Sequence, residues 1–91
     1  MKNQNTLSNT QTVMDTVFNM ISIDCNDHIN MLSHGTALDT ITNETVYYMQ
    51  DFDSHAAVTM KQVVIALENN DEAVVIKGLY TFFKNNLKIN A

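Results

Sequence analysis

The stretch that most restricts this chain is its C-terminal run, DEAVVIKGLYTFFKNNL over 71–87. Placed on a helix, Ala73, Ile76, Tyr80, Phe83 and Leu87 form one apolar stripe. Val75, Leu79 and Phe82 form a second beside it, and Val74 stands further round. A surface helix ordinarily buries an apolar arc about 100° wide, and this arc is much wider. A chain of 91 residues buries only about 60–65% of its unfolded surface, so it cannot readily cover such a helix from both sides. Leaving one stripe in water would create a large sticky patch. The expectation is therefore a homo-oligomer in which Val75, Ile76, Leu79, Tyr80, Phe82 and Phe83 meet another subunit. The competing expectation is a bundle in which the other helices wrap this one.

The rest of the chain is read against that element. Residues 1–10 are polar and expected to be flexible, leaving 11–91 as a single helical domain. Ser8 and Gln11 have capping-box spacing, and Val13, Met14, Val17, Phe18 and Ile21 mark a helix over about 11–23. Gly35 is placed to end a short segment, and Thr36 to cap a second helix reaching about Gln50, with Leu38, Ile41, Thr45, Tyr48, Met49 and Phe52 in phase. Asp53 and Ser54 offer an N-cap for a third helix over about 55–68, carrying Ala57, Met60, Val63, Val64 and Leu67. Asn69-Asn70-Asp71 reads as a stop and a restart, which makes the last two helices an antiparallel hairpin. The fold class expected is all-α, a small bundle of three to four helices. The alternative is α+β with a C-terminal β-hairpin, because VVIAL and AVVIKGLYTFF are rich in β-branched and aromatic residues. Neither run alternates, and both keep the three/four spacing.

Charge narrows the function classes. Ten acidic residues oppose five basic ones, giving −5. All five bases are Lys, and none falls between Asn3 and Met60. Nucleic-acid binding draws on several cations and on Arg forks, so direct DNA or RNA binding is disfavoured. The longest unbroken apolar run, Val63 to Leu67, is far short of a membrane span. The N-terminal residues lack the apolar core of a signal peptide. With a single Cys, which excludes an internal disulfide, the expected location is the cytoplasm.

Chemistry is sparse. Cys25, His28 and His34, with Asp24 and Asp27 alongside, are the only cluster of soft-ligand residue types, with His55 a further imidazole. On a helix Cys25 and His28 would share a face. No C-x-x-C or H-x3-H pair accompanies them, so no metal is expected, and a free thiol with surface imidazoles accounts for the residues. A Cys25 nucleophile with a His28 or His34 base would need an oxyanion hole and a cleft. The two glycines, Gly35 and Gly78, are isolated and precede no Lys-Ser or Lys-Thr, so no phosphate loop is present. Asp51 and Asp53 suit a turn better than acid–base catalysis. The three histidines are candidates for pH sensing. No enzyme activity and no cofactor are expected.

From Thr36 to Phe83, and chiefly through TMKQVVIALENNDEAVVIKGLYTFF, the order of elements resembles the small enterobacterial biofilm and acid-resistance regulators, the Ariadne-type connector proteins. The resemblance lies in apolar spacing and helix length. It implies a helical homodimer and a non-enzymatic modulator of signalling or gene expression. The chain departs from that pattern in its extra apolar segment at 13–23 and in its want of basic residues. The function expected is a small regulatory or inhibitory interaction protein acting as a homo-oligomer on a protein partner. Two alternatives stand beside it: a chaperone or immunity-type partner that masks a secreted protein, and a metal- or small-ligand-binding helical protein.

Overall fold

A computed structural model of the chain describes residues 2–24, 33–51 and 54–87, with the side chains of the first helix described from Asn9 onward. The element order is α1 (Lys2–Asp24), β1 (Ser33–Asp39), β2 (Glu44–Gln50), β3 (His55–Thr59), α2 (Met60–Asn69) and α3 (Glu72–Asn86). The strands form one antiparallel sheet in the order β1-β2-β3. The fold is thus α+β, and the expectation of an all-α helical bundle is wrong. The strands are not in the C-terminal hairpin either, because Val63–Leu67 lies in α2 and Ala73–Phe83 in α3.

The misread stretch is 36–50, expected as a helix and found as β1, a turn and β2. Thr36, Thr40, Ile41, Thr42, Thr45 and Val46 are β-branched and stiff at χ1, which favours the extended chain. The side chain of Asp39 offers the backbone a local alternative to helical pairing: its Oδ1 accepts from the N–H of Ile41 at 2.9 Å and of Thr42 at 3.3 Å. The Asn43 N–H donates to the Asp39 carbonyl at 2.6 Å, and Asn43 takes the left-handed conformation at φ 61°. Asn and Asp are the residues that close turns in these ways. Local hydrogen bonding and rotamer stiffness outweigh the three/four spacing here.

The third element also starts later than expected. Residues 55–59 form β3, and the helix begins at Met60. Thr59 caps it: its Oγ1 accepts from the Gln62 N–H at 3.0 Å, while Gln62 Oε1 accepts from the Thr59 N–H at 3.0 Å. This capping box does the work expected of Asp53 and Ser54. Asp51 and Ser54 instead bind each other across the β2–β3 connection, the Ser54 N–H donating to Asp51 Oδ1 at 2.8 Å. At the far end of α2, Asn70 is extended rather than left-handed, and its Nδ2 donates to the Ala66 carbonyl at 3.1 Å.

One core joins the two layers. α1 brings Val13, Met14, Val17, Phe18 and Ile21, every one of the stripe read from the sequence, and all are buried. β2 alternates as a half-buried strand should, with Tyr47 and Met49 turned in and Val46 and Tyr48 turned to the other face. Ala56, Val63, Val75, Phe83 and Leu87 complete the cluster. α2 and α3 each pack more closely on α1 than on one another. The apolar segment at 13–23 is therefore the hub of the helical layer. α1 also begins well before residue 11, at Lys2.

Candidate functional site

Among the described residues, an open cleft of about 420 Å³ lies where β3, α2 and α3 meet. Ala57 and Val58 of β3 form one side, Val63 and Ala66 of α2 another, and Leu79 and Phe82 of α3 the third. Gln62 stands at the rim, fixed there by its part in the capping box. The lining is almost wholly apolar. Val58 turns toward the helices with Tyr47, its partner in the register, while Ala57 is paired with Tyr48 on the other face and borders the cleft from the strand's edge. Further along the same two helices the surface changes character. Glu68, Asn69, Asn70 and Asp71 line a polar notch with Val74 at its edge, and Glu68, Asp71 and Glu72 are all exposed. An apolar cleft thus runs toward an acidic end.

The residues expected at an interface divide between two roles. Val75 and Phe83 are buried in the chain's own core, and Ile76, Leu79 and Tyr80 are partly buried against it. Phe82 remains 36% exposed and Val74 57% exposed. Phe82 meets Phe83 edge to face, with centroids 5.3 Å apart. Phe83 meets Phe18 at 6.3 Å. The wide apolar arc of α3 is therefore half spent on its own fold, and the remainder borders the cleft. Tyr80 has another use. Its hydroxyl donates to Asp24 Oδ2 at 2.5 Å, and Lys84 Nζ donates to the same hydroxyl at 3.0 Å while lying 3.5 Å from Asp24. These three groups tie the end of α1 to α3. The hydrogen bond to Tyr80, and then the charge of Asp24, raise the Lys84 pKa above its usual 10.5.

The soft-ligand cluster is not assembled among the described residues. Cys25, His28 and Asp27 lie outside them. His34 is in β1, where its ring stacks on Phe18 with centroids 4.5 Å apart. His55 opens β3, and the register sets it opposite Gln50 while His34 faces Met49. The two imidazoles therefore sit on opposite faces of the sheet with β2 between them. No group of three or more His, Cys, Asp or Glu is placed to hold a metal ion among the described residues. Asp51 and Ser54 serve the β2–β3 connection, as noted, and Asp53 is outside the described residues.

Among the described residues, Tyr47 is the core residue with a titratable group and a shifted pKa. Burial, and then the nearby charge of Asp15, push its phenol above the usual 10.0. Its ring meets Phe18 at 6.5 Å, and a neutral tyrosine in such surroundings reads as packing. Gly78, a candidate for close helix approach, points into open space, with nothing within 4 Å of where a Cβ would stand.

The sequence marks Leu79 and Phe82 as surface candidates and sets Ala57 and Val63 on an apolar stripe, but it does not mark Val58, Gln62 or Ala66. Only the pair Val58-Thr59, with Gln three residues after the Thr, could have pointed to the joint between β3 and α2. No helix among the described residues is long and apolar enough to cross a membrane. Comparison with protein-family models, with curated proteins and with solved structures finds no match.

Proposed function

We propose that the protein is a non-enzymatic binding partner that masks an apolar, lysine- or arginine-bearing segment of another protein. The observation that carries this reading is the apolar cleft between β3, α2 and α3, with Phe82 half out of the core at its wall. Its volume is within the range that takes up side chains or a small ligand, and its mouth is open enough for a length of chain. Charge selects the occupant. The exposed carboxylates Glu68, Asp71 and Glu72 lie along the same helices, and the whole chain carries −5. Complementary charge speeds encounter and rejects acidic partners. This is the masking role, chaperone or immunity-like, that the sequence admits. The regulatory homo-oligomer draws less support from α3, because Val75 and Phe83 serve the fold of their own chain.

The test is fluorescence anisotropy with a labelled peptide alternating Leu and Lys, beside a twin in which Glu replaces Lys. The lysine peptide is expected to bind at least about tenfold more tightly, a difference of about 1.4 kcal/mol. Filling the cleft with Ala66→Phe, or charging its wall with Phe82→Glu, should weaken binding by a similar factor while the far-ultraviolet circular dichroism is kept. Equal affinity for both peptides, or undiminished binding by both variants, would sink the reading.

A further inference from the structure

The first strand has an outer edge that the proposed function does not use. β1 pairs only on its β2 side; His34 stacks on Phe18 of α1 from the inner face of the sheet, and among the described residues no strand lies along the outer edge. Ser33, His34, Thr36, Ala37 and Leu38 are all exposed, Leu38 at 58%. An unpaired edge presents a row of backbone donors and acceptors to any strand of matching shape. Natural proteins usually blunt such edges with Lys, Pro or a bulge. SHGTALD has no Lys and no Pro, its single carboxylate is at the end, and its pairing with β2 runs residue for residue without a bulge.

We propose that this edge joins β1 of a second copy, antiparallel, about a two-fold axis through Thr36, so that two three-stranded sheets become one. The register follows from symmetry. Thr36 would face Thr36, Leu38 would face His34 of the other copy, and Asp39 would face Ser33. Side chains alternate across a strand, so Leu38, Thr36 and His34 share a face. That is the face of Tyr47 and Met49, which packs on the helices. The exposed Leu38 of each copy would then lie beside the His34 ring of its neighbour, itself stacked on Phe18. On the opposite face Gly35 and Ala37 would meet, two small residues that let the strands approach without a clash.

Charge decides for a second copy over another protein. An acidic chain ordinarily resists self-association, yet in this register no carboxylate of β1 faces another. A basic strand would find along this edge only Asp39, whereas the acidic end of the cleft offers Glu68, Asp71 and Glu72. An interface that meets itself across a two-fold axis is also the commonest kind in soluble oligomers. Main-chain pairing of one short strand buries less than a stable dimer usually needs, about 1,200 Å² or more in total. The pairing is therefore expected to be concentration-dependent, and the burial of Leu38 to be decisive.

The experiment is size-exclusion chromatography with light scattering over a concentration series, using the full chain. The expected mass rises toward twice the 10.3 kDa of one chain. Thr36→Lys, which sets two like charges face to face across the axis, and Leu38→Lys should each return it to a single chain with unchanged circular dichroism. A second measurement does not depend on those variants. In a Cys25→Ser background, Thr36→Cys should cross-link with itself under mild oxidation, and Phe82→Cys should not. A mass that stays at one chain throughout, a dimer that survives both lysine variants, or cross-linking confined to Phe82→Cys would overturn the proposal. The last result would return the interface to α3.

Discussion

The two outer strands of the sheet are treated differently by the rest of the chain. β3 is backed by α2 and α3, and what remains open beside it is a cleft with apolar walls. β1 meets α1 through the His34–Phe18 stack, has no strand on its outer side among the described residues, and exposes Leu38 at its end. The first arrangement suits a foreign segment, because side chains can enter a cavity whose walls are already rigid. The second suits a strand of the same kind, because backbone pairing asks for matching length and few charges. A small fold can thus keep two surfaces apart in chemistry as well as in space.

The largest expected effect tests what lies beneath the β3 side. Phe83 is fully buried beside Phe18, so Phe83→Ala should cost about 3–5 kcal/mol in denaturant melts. Its neighbour makes the contrast. Phe82→Ala removes a ring that is partly in water and should change stability by less than about 1 kcal/mol. Equal losses from the two rings would mean that α3 has no distinction between a core face and a cleft face.

Thr59→Ala is next. It removes one side of the capping box where β3 becomes α2, and should lower stability by about 1 kcal/mol in thermal melts. If the cleft depends on that joint, peptide binding should weaken in the same variant. Gly78→Ala works in the opposite direction. A Cβ there meets nothing within 4 Å, so the helix gains about 1 kcal/mol of propensity. A loss instead would mean that an unseen neighbour approaches α3 at Gly78.

How much was legible follows from where local and tertiary preferences agree. In α1 the apolar stripe, the spacing and the burial coincide, and Val13, Met14, Val17, Phe18 and Ile21 could be named from the sequence alone. In α3 the spacing gave the helix correctly, but a count of apolar residues could not tell Phe83, which is buried, from Phe82, which is not. Between Thr36 and Gln50 the spacing misled. Leu38, Ile41, Thr45 and Tyr48 fall in helical phase by coincidence, and the deciding groups are Asp39 and Asn43, whose turn chemistry overrides the spacing. The cleft was the least legible feature, because it lies where β3, α2 and α3 meet, and β3 stands where the spacing reads as the start of a helix.

The smallest expected effect is at high pH. Tyr47 and Lys84 both have folded-state pKa values above the usual 10.0 and 10.5. A group whose value is raised on folding stabilises fully below its unfolded value and loses that contribution as pH rises through the folded one. Stability should therefore be level through neutrality in respect of these groups and fall above pH 10. Lys84 is at the surface, where solvent screens its charge, so Tyr47→Phe should remove most of the fall. An unaltered alkaline loss in Tyr47→Phe would place its origin elsewhere.

Phe18 holds a position that none of its neighbours shares. Its ring touches His34 on β1, Tyr47 on β2 and Phe83 on α3, and Phe83 in turn touches Phe82 at the cleft wall. The file of rings therefore crosses the molecule from one margin to the other through a single keystone. Trimming that keystone to Leu would leave both rims standing on separate footings.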